Sequence, residues 1–158
     1  MPVLVLAIVI ALVDQGIKYY VQSQMMLGMS IPVIKGFFHI TYILNPGAAF
    51  SILEYQTILL IAITVSMLAA LVYFYGLIAA GPVLMRLGAG LLAGGAIGNL
   101  IDRATTGYVV DFLDFRIWPI FNSADIAIVT GVGFLIYTIL FFPEALPGKN
   151  PELPKEES

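Results

Sequence analysis

Long apolar stretches alternate with short polar clusters along this chain. A helix that crosses a bilayer needs about 20 mostly apolar residues, and four segments meet that requirement. The first covers roughly 2–22, carries the apolar run Val3–Val13, and is interrupted by Asp14 and Lys18. The second lies within 56–80, because no charge stands between Glu54 and Arg86. Gly81-Pro82 then marks a turn. The third covers roughly 83–102 and is rich in Gly and Ala. The fourth covers roughly 123–142, with no charge between Asp125 and Glu144.

Between the first two helices the period changes. Ile31–Ile34 and Phe37–Ile43 are β-branched and aromatic, and Lys35-Gly36 splits them. This is a hairpin pattern, and over about 30–50 it predicts a small sheet at the membrane surface. The fold class is therefore mainly α, a polytopic membrane protein of four transmembrane helices with a small β-sheet. One domain is expected over 1–142. The tail 143–158, rich in Pro, Glu and Lys, is expected to be disordered. Little basic charge precedes Val3–Val13, and the run leads into Asp14 rather than a small-residue cleavage site, so it reads as a retained helix.

Composition agrees with the pattern. Of 158 residues, 60% are apolar and 11% charged, against about 25% charged in soluble domains. Seven basic residues, scattered, make no stripe for nucleic acid. The chain has no cysteine, which removes disulfides, thiolate chemistry and lipid attachment to a cysteine of its own. His39 is the only histidine. Zinc therefore has too few preferred ligands, a Ser–His pair would depend on that one residue, and His39 reads as a structural residue of its strand. The Gly cluster lies inside a spanning helix and is no phosphate loop. No metal or cofactor is expected.

Four crossings place the end of helix 1, the start of helix 2, the end of helix 3 and the start of helix 4 on one side. Residues 14–18, 45–51, 99–103, 111 and 125 sit at those points, so most of the unusual polar groups converge on one membrane surface. Charge inside a membrane is costly and marks function or pairing. Asp14 and Lys18, spaced i, i+4, form an ion pair on one face or end helix 1 at the interface. Asn45–Ser51 opens as a turn into helix 2. Gly90, Gly94 and Gly98 make a small-residue stripe for close helix packing, within one chain or between chains. Gly95, Asn99, Asp102 and Arg103 lie on a neighbouring face. Asn99 and Arg103 stand as i, i+4 partners. Arg103 binds lipid phosphate or anchors its helix, with Asp102 as a possible counter-charge. Asp125 is either an N-cap or a chemical group. Asp111 follows two valines and precedes an aromatic, a poor setting for a solvated charge, and Asp114 competes with it. Basic residues do not fix the orientation: Arg86, Lys149 and Lys155 fall on one side, and Lys18, Lys35, Arg103 and Arg116 on the other.

Two carboxylates from different elements suggest acid–base hydrolysis, since neighbouring carboxylates share a proton and one can then activate water. A proton-coupled transporter would want charges near the midplane and repeat symmetry. An assembly factor would use the glycine stripe alone.

The ordered motifs Asp14-x-x-x-Lys18, Asn45-Pro-Gly-Ala-Ala-Phe50, Gly95-Ala-Ile-Gly-Asn99-Leu-Ile-Asp-Arg103, Val110-Asp111-Phe112 and Phe121-Asn-Ser-Ala-Asp125 resemble those of the lipoprotein signal peptidases, or signal peptidase II. The resemblance covers about 10–130. It implies an aspartic endopeptidase that cleaves diacylglyceryl-modified prolipoproteins just before the lipidated cysteine, with Asp111 and Asp125 as the catalytic pair. It implies that Asn45, Gly95, Asn99, Arg103 and Asn122 bind substrate or stabilise the site, supported by Asp14 and Lys18. It further implies a bacterial inner-membrane protein with cytoplasmic termini, an extracytoplasmic site, an extracytoplasmic β-cradle at 30–50, and sensitivity to globomycin. The expected partners are prolipoproteins and membrane lipids, and the expected state is a monomer. Ser123 departs from the family, in which a larger apolar residue is common there.

Overall fold

The computed structural model describes residues 2–47 and 55–143. Its element order is α1 (Pro2–Gln24), β1 (Ser30–Ile34), β2 (Phe38–Asn45), α2 (Thr57–Tyr73), α3 (Tyr75–Ala80), α4 (Val83–Thr106), β3 (Val109–Asp114) and α5 (Ser123–Phe141). The expected disorder of the tail falls almost wholly outside the described residues, as do Ala48, Ala49, Phe50 and Ser51.

Among the described residues three helices, α1, α4 and α5, are long and apolar enough to cross a membrane. At 1.5 Å per residue their 23, 24 and 19 residues extend about 35, 36 and 29 Å, against a hydrocarbon core of about 30 Å. Their outward faces are apolar as well. Leu12, Val129 and Leu140 are all well exposed, which suits lipid and not water. The expected continuous second helix over 56–80 is instead two pieces. Phe74, at φ −88° and ψ 9°, interrupts the ladder between α2 and α3, although hydrogen bonds resume through Ile78 N to Phe74 O at 3.0 Å.

α4 is the centre, with α1 on one side and α5 on the other. Glycines let the backbones approach. A Cβ on Gly90 or Gly94 would strike Leu6, Ala7 or Ile10 of α1, and one on Gly88 would strike Gly131 O of α5 at 2.8 Å. The stripe thus serves packing within the chain, as small residues do between membrane helices. α2 buries only Leu60 and packs mainly on α4.

α4 stops at Gly107, whose φ of 82° favours glycine, and the chain turns into β3. The sheet is antiparallel in the order β1-β2-β3. The third strand lies between α4 and α5, so the segment between the first two helices supplies only two of the three. The sheet packs on the end of α1, where Val21 and Met25 meet Phe112, Ile40 and Tyr42. Its register places Asn45 opposite Val109 and Ile43 opposite Asp111. Asn45 and Asp111 are then diagonal neighbours on one face, within reach of each other's side chains.

Candidate active site

Asp111 is 1% exposed. Asn45 Nδ2 donates to its Oδ2 at 2.8 Å, and Asn122 Nδ2 donates to its Oδ1 at 2.7 Å. Asn122 reaches it because Phe121 pairs back onto Leu113, with Leu113 N donating to Phe121 O at 2.8 Å. The chain therefore folds over Asp111 immediately before α5 begins.

Asp125 lies in the first turn of α5. Asn122 is the N-cap, not Asp125. Asn122 Oδ1 accepts from Asp125 N at 3.0 Å, while Asn122 N donates to Asp125 Oδ2 at 3.2 Å. This is a capping box, so Asp125 is fixed by the local geometry of the helix start. Asn99 Nδ2 donates to the other oxygen, Oδ1, at 2.8 Å. One side chain, Asn122, thus bonds both to the Asp111 carboxylate and to the residue carrying the second carboxylate. Each of the four oxygens accepts one hydrogen bond, which leaves a lone pair on each for water or a proton.

Burial drives Asp111 up to about 7, and the nearby Asp125 charge adds to the rise. The amide donors of Asn45 and Asn122 and the charge of Lys18 oppose it. Asp114, the competing carboxylate, behaves oppositely. Burial alone would raise it, but Thr41 Oγ1 at 2.7 Å and the backbone and guanidinium of Arg116, each at 2.9 Å, hold it below the ordinary carboxylate range. Asp114 is a structural anion of the sheet.

Behind the carboxylates lies a buried charge cluster. Lys18 Nζ is 2.8 Å from Asp14 Oδ2, 2.8 Å from Asp102 Oδ2 and 2.9 Å from Asn99 Oδ1. The ammonium thus faces three oxygens, two as ion pairs and one as a hydrogen bond. Lys18 can only donate, so it turns the Asn99 carbonyl toward itself and the Asn99 amide toward Asp125. Asp14 Oδ2 takes no directed hydrogen bond and is balanced by the charge of Lys18. Asp14 Oδ1 accepts from Ser123 Oγ at 2.6 Å and Ala124 N at 2.9 Å, so α1 caps the start of α5. Asp14 and Lys18 do pair, yet they do not end α1, which continues to Gln24.

Asp102 corrects the sequence reading. It serves Lys18 rather than pairing mainly with Arg103, and its Oδ2 accepts from Val110 N at 3.1 Å, beside Asp111. Gln15 Nε2 donates to Asp102 Oδ1 at 2.8 Å and to Gly98 O at 3.1 Å. Gln15 escaped sequence reasoning, because a neutral amide near a helix end carries no cost that marks it. Asn99 and Arg103, expected as partners, point to different groups. Arg103 Nη2 donates to Gly47 O at 3.0 Å, holding the loop after β2. Gly95 sits against α5, where a Cβ would collide with Ala124 O and Ile128. His39 joins Ser30 Oγ at 3.1 Å, away from the carboxylates. Among the described residues no cluster of three or more His, Asp or Glu is arranged to hold a metal.

Two neighbouring carboxylates, held by amides and backed by the Lys18 ion cluster, can share a proton and polarise a water. The family described as signal peptidase (SPase) II matches residues 6–141. The lipoprotein signal peptidase of Moorella thermoacetica is 45% identical over 151 residues, which is 96% of this chain and 100% of the relative. That of Pelotomaculum thermopropionicum is 50% identical over 84% of this chain and 87% of the relative. Two solved bacterial membrane enzymes share the fold. One has a TM-score of 0.83 at 37% identity, covering 96% of this chain and 93% of its own, and the other has 0.79 at 39%, covering 89% and 93%. The chain belongs to the signal peptidase II family.

Proposed function

We propose that this chain is a membrane aspartic endopeptidase that removes signal peptides from diacylglyceryl-modified prolipoproteins, cutting just before the lipidated cysteine. The observation that carries this reading is Asn122, which bonds to Asp111 through its amide and to Asp125 through both its backbone N–H and its side-chain oxygen. With Asp111 raised to about 7, the pair holds one proton near neutrality, as close carboxylates do. The ionised member takes a proton from water, and the oxygen attacks the scissile carbonyl. The protonated member donates to the carbonyl oxygen, giving a neutral tetrahedral diol. Collapse breaks the C–N bond: the proton taken from water passes to the leaving amine, and a diol hydroxyl returns its proton to the other carboxylate, which gives the carboxylic acid and restores the singly protonated pair.

In this reading Asn45, Asn99, Asn122, Gly95 and Arg103 hold the carboxylates or the substrate backbone, and Asp14 and Lys18 brace them from α1. Together α2 and α3 make a fourth crossing. Both termini are then cytoplasmic, the site faces outward from the bacterial inner membrane, and residues 1–142 act as one monomeric domain. The sheet cradles substrate, and globomycin inhibits. Water and the two side chains supply the reaction.

The test is cleavage of a purified diacylated prolipopeptide by wild type, Asp111→Asn and Asp125→Asn, with and without a chelator. Each variant is expected to lose at least about 10²–10⁴-fold in rate, the usual worth of acid–base catalysis, while still inserting and folding. The chelator is expected to change nothing. Undiminished cleavage by both variants would overturn the assignment.

A further inference from the structure

Given the two-aspartate reading, we propose that Gln15 is a positioning residue for Asp111 and acts through the Asp102 carboxylate. β3 is the last strand of its sheet, with β2 on one side only. The N–H groups that flank Asp111 both find partners other than β2. Phe112 N donates to Phe121 O at 3.0 Å, and Val110 N donates to Asp102 Oδ2 at 3.1 Å. Val110 is buried, and a buried N–H needs a partner because water cannot reach it. The Asp102 carboxylate therefore stands where the carbonyl of a further strand would stand. It clamps the backbone one residue before Asp111.

The clamp depends on how the carboxylate is turned. The terminal torsion of an Asp side chain is broad, so a carboxylate bonded through one oxygen can rotate. Oδ2 of Asp102 meets both Val110 N and Lys18 Nζ, the latter at 2.8 Å. Oδ1 is taken by Gln15 Nε2 at 2.8 Å. Gln15 thus supplies the second point that fixes the carboxylate plane, and without it the charge of Lys18 alone sets the orientation. The amide is neutral, so it does this without changing the charge of the cluster. Its other bond, to Gly98 O at 3.1 Å, goes to a carbonyl inside α4, where the helix ladder already supplies a donor. Only the bond to Asp102 leads to the site, from Gln15 through Asp102 to Val110 N. Gln15 touches no reacting atom, yet a misplacement of about 1 Å at a reacting group can cost about 10²-fold in rate.

The test joins kinetics to an amide probe. Gln15→Met keeps the length of the side chain and deletes the donor. With a diacylated prolipopeptide its kcat is expected to fall by about 10- to 100-fold, with KM within about twofold of wild type, since only positioning at the reacting group is lost. The full chain, labelled with [15N]valine in micelles, reports the Val110 amide, which is assigned by the peak that Val110→Ile removes. In wild type this amide is expected to exchange slowly with solvent, and in Gln15→Met faster by about tenfold or more, as a locally opened hydrogen bond does. Fast exchange at Val110 in the wild type would overturn the proposal without any variant. So would an unchanged kcat, or a rise in KM alone. A fall in kcat with Val110 unmoved would place the effect at Gly98 O and overturn it too. Asp111→Asn is run in the same assay. Undiminished cleavage by that variant would sink the two-aspartate reading and the role of Gln15 with it, whereas an inactive Asp111→Asn beside an unaffected Gln15→Met would remove the role of Gln15 alone.

Discussion

Asp111 and Asp125 sit on different elements, yet their surroundings differ in a way that separates their roles. Asp111 is held by side-chain amides on both oxygens, whereas Asp125 is held partly by its own helix start. The raised Asp111, at about 7, gives the pH dependence a definite sign. If the working form holds one proton on the pair, kcat/KM falls as pH rises through about 7, and its alkaline limb reports the free enzyme. Asn45 donates to the ionised form and so opposes the rise. Asn45→Ala removes that donor while burial remains. A hydrogen bond to a charged group contributes about 1.5–3 kcal/mol, so the limb moves upward by about one pH unit or more. A pH–rate profile that falls in amplitude without moving its limb would detach Asn45 from the Asp111 proton. The same raised value acts on folding. This group's contribution is greatest below about pH 4, its unfolded value, and is lost as pH rises through about 7. At this scale the sequence was informative about charge and uninformative about neutral partners. Asp14, Lys18, Asp111 and Asp125 stand out because ionised groups beside apolar runs need compensation. Gln15 and Thr41 do not, and their contacts join residues 87 and 73 positions apart, which no local pattern reveals.

Among the elements, helix existence was legible and helix contact was legible only through glycine. The apolar runs of α1, α4 and α5 are set by length and by flanking charge. The break at Phe74 was not legible, because Tyr73-Phe74-Tyr75 contains neither Gly nor Pro. β3 was hidden for a different reason. Val109–Asp114 is apolar on both faces apart from its acids, and its pairing with β2 depends on the return of the chain after a whole helix. Glycines sort by what stands opposite them. A Cβ on Gly131 would lie 2.6 Å from both Gly88 O and Leu92 N, backbone atoms that cannot step aside, whereas Gly133 has nothing within 4 Å. Gly131→Ala is expected to lower stability by about 1–3 kcal/mol, as overpacking does. Gly133→Ala is expected to be neutral or to gain up to about 1 kcal/mol from helix propensity. Thermal unfolding of the two variants in the same detergent checks the contrast, and equal effects would mean that α4 and α5 are not in backbone contact.

Across the whole molecule, the stabilising core and the proposed chemical site share one charged side chain. Lys18, 2% exposed, ties α1 to α4 through Asp102 and Asn99, and through Asn99 to Asp125 in α5. Asp102 passes the tie on to β3 at Val110. Two carboxylates and one ammonium make this cluster net negative, so the ammonium is the member it can least lose. Lys18→Met keeps most of the volume and deletes the charge, leaving Asp14 and Asp102 to repel each other in a buried setting. Removing one partner of a buried ion pair costs about 3–5 kcal/mol, and the variant is expected to unfold correspondingly earlier. Adding Asp102→Asn takes away one of the two stranded charges, so the double variant should be more stable than Lys18→Met alone. Such non-additivity is the signature of directly interacting groups. Strictly additive losses in thermal unfolding would mean that Lys18 acts by packing, and that α1, α4, α5 and the sheet are held together by their apolar contacts without a shared electrostatic centre.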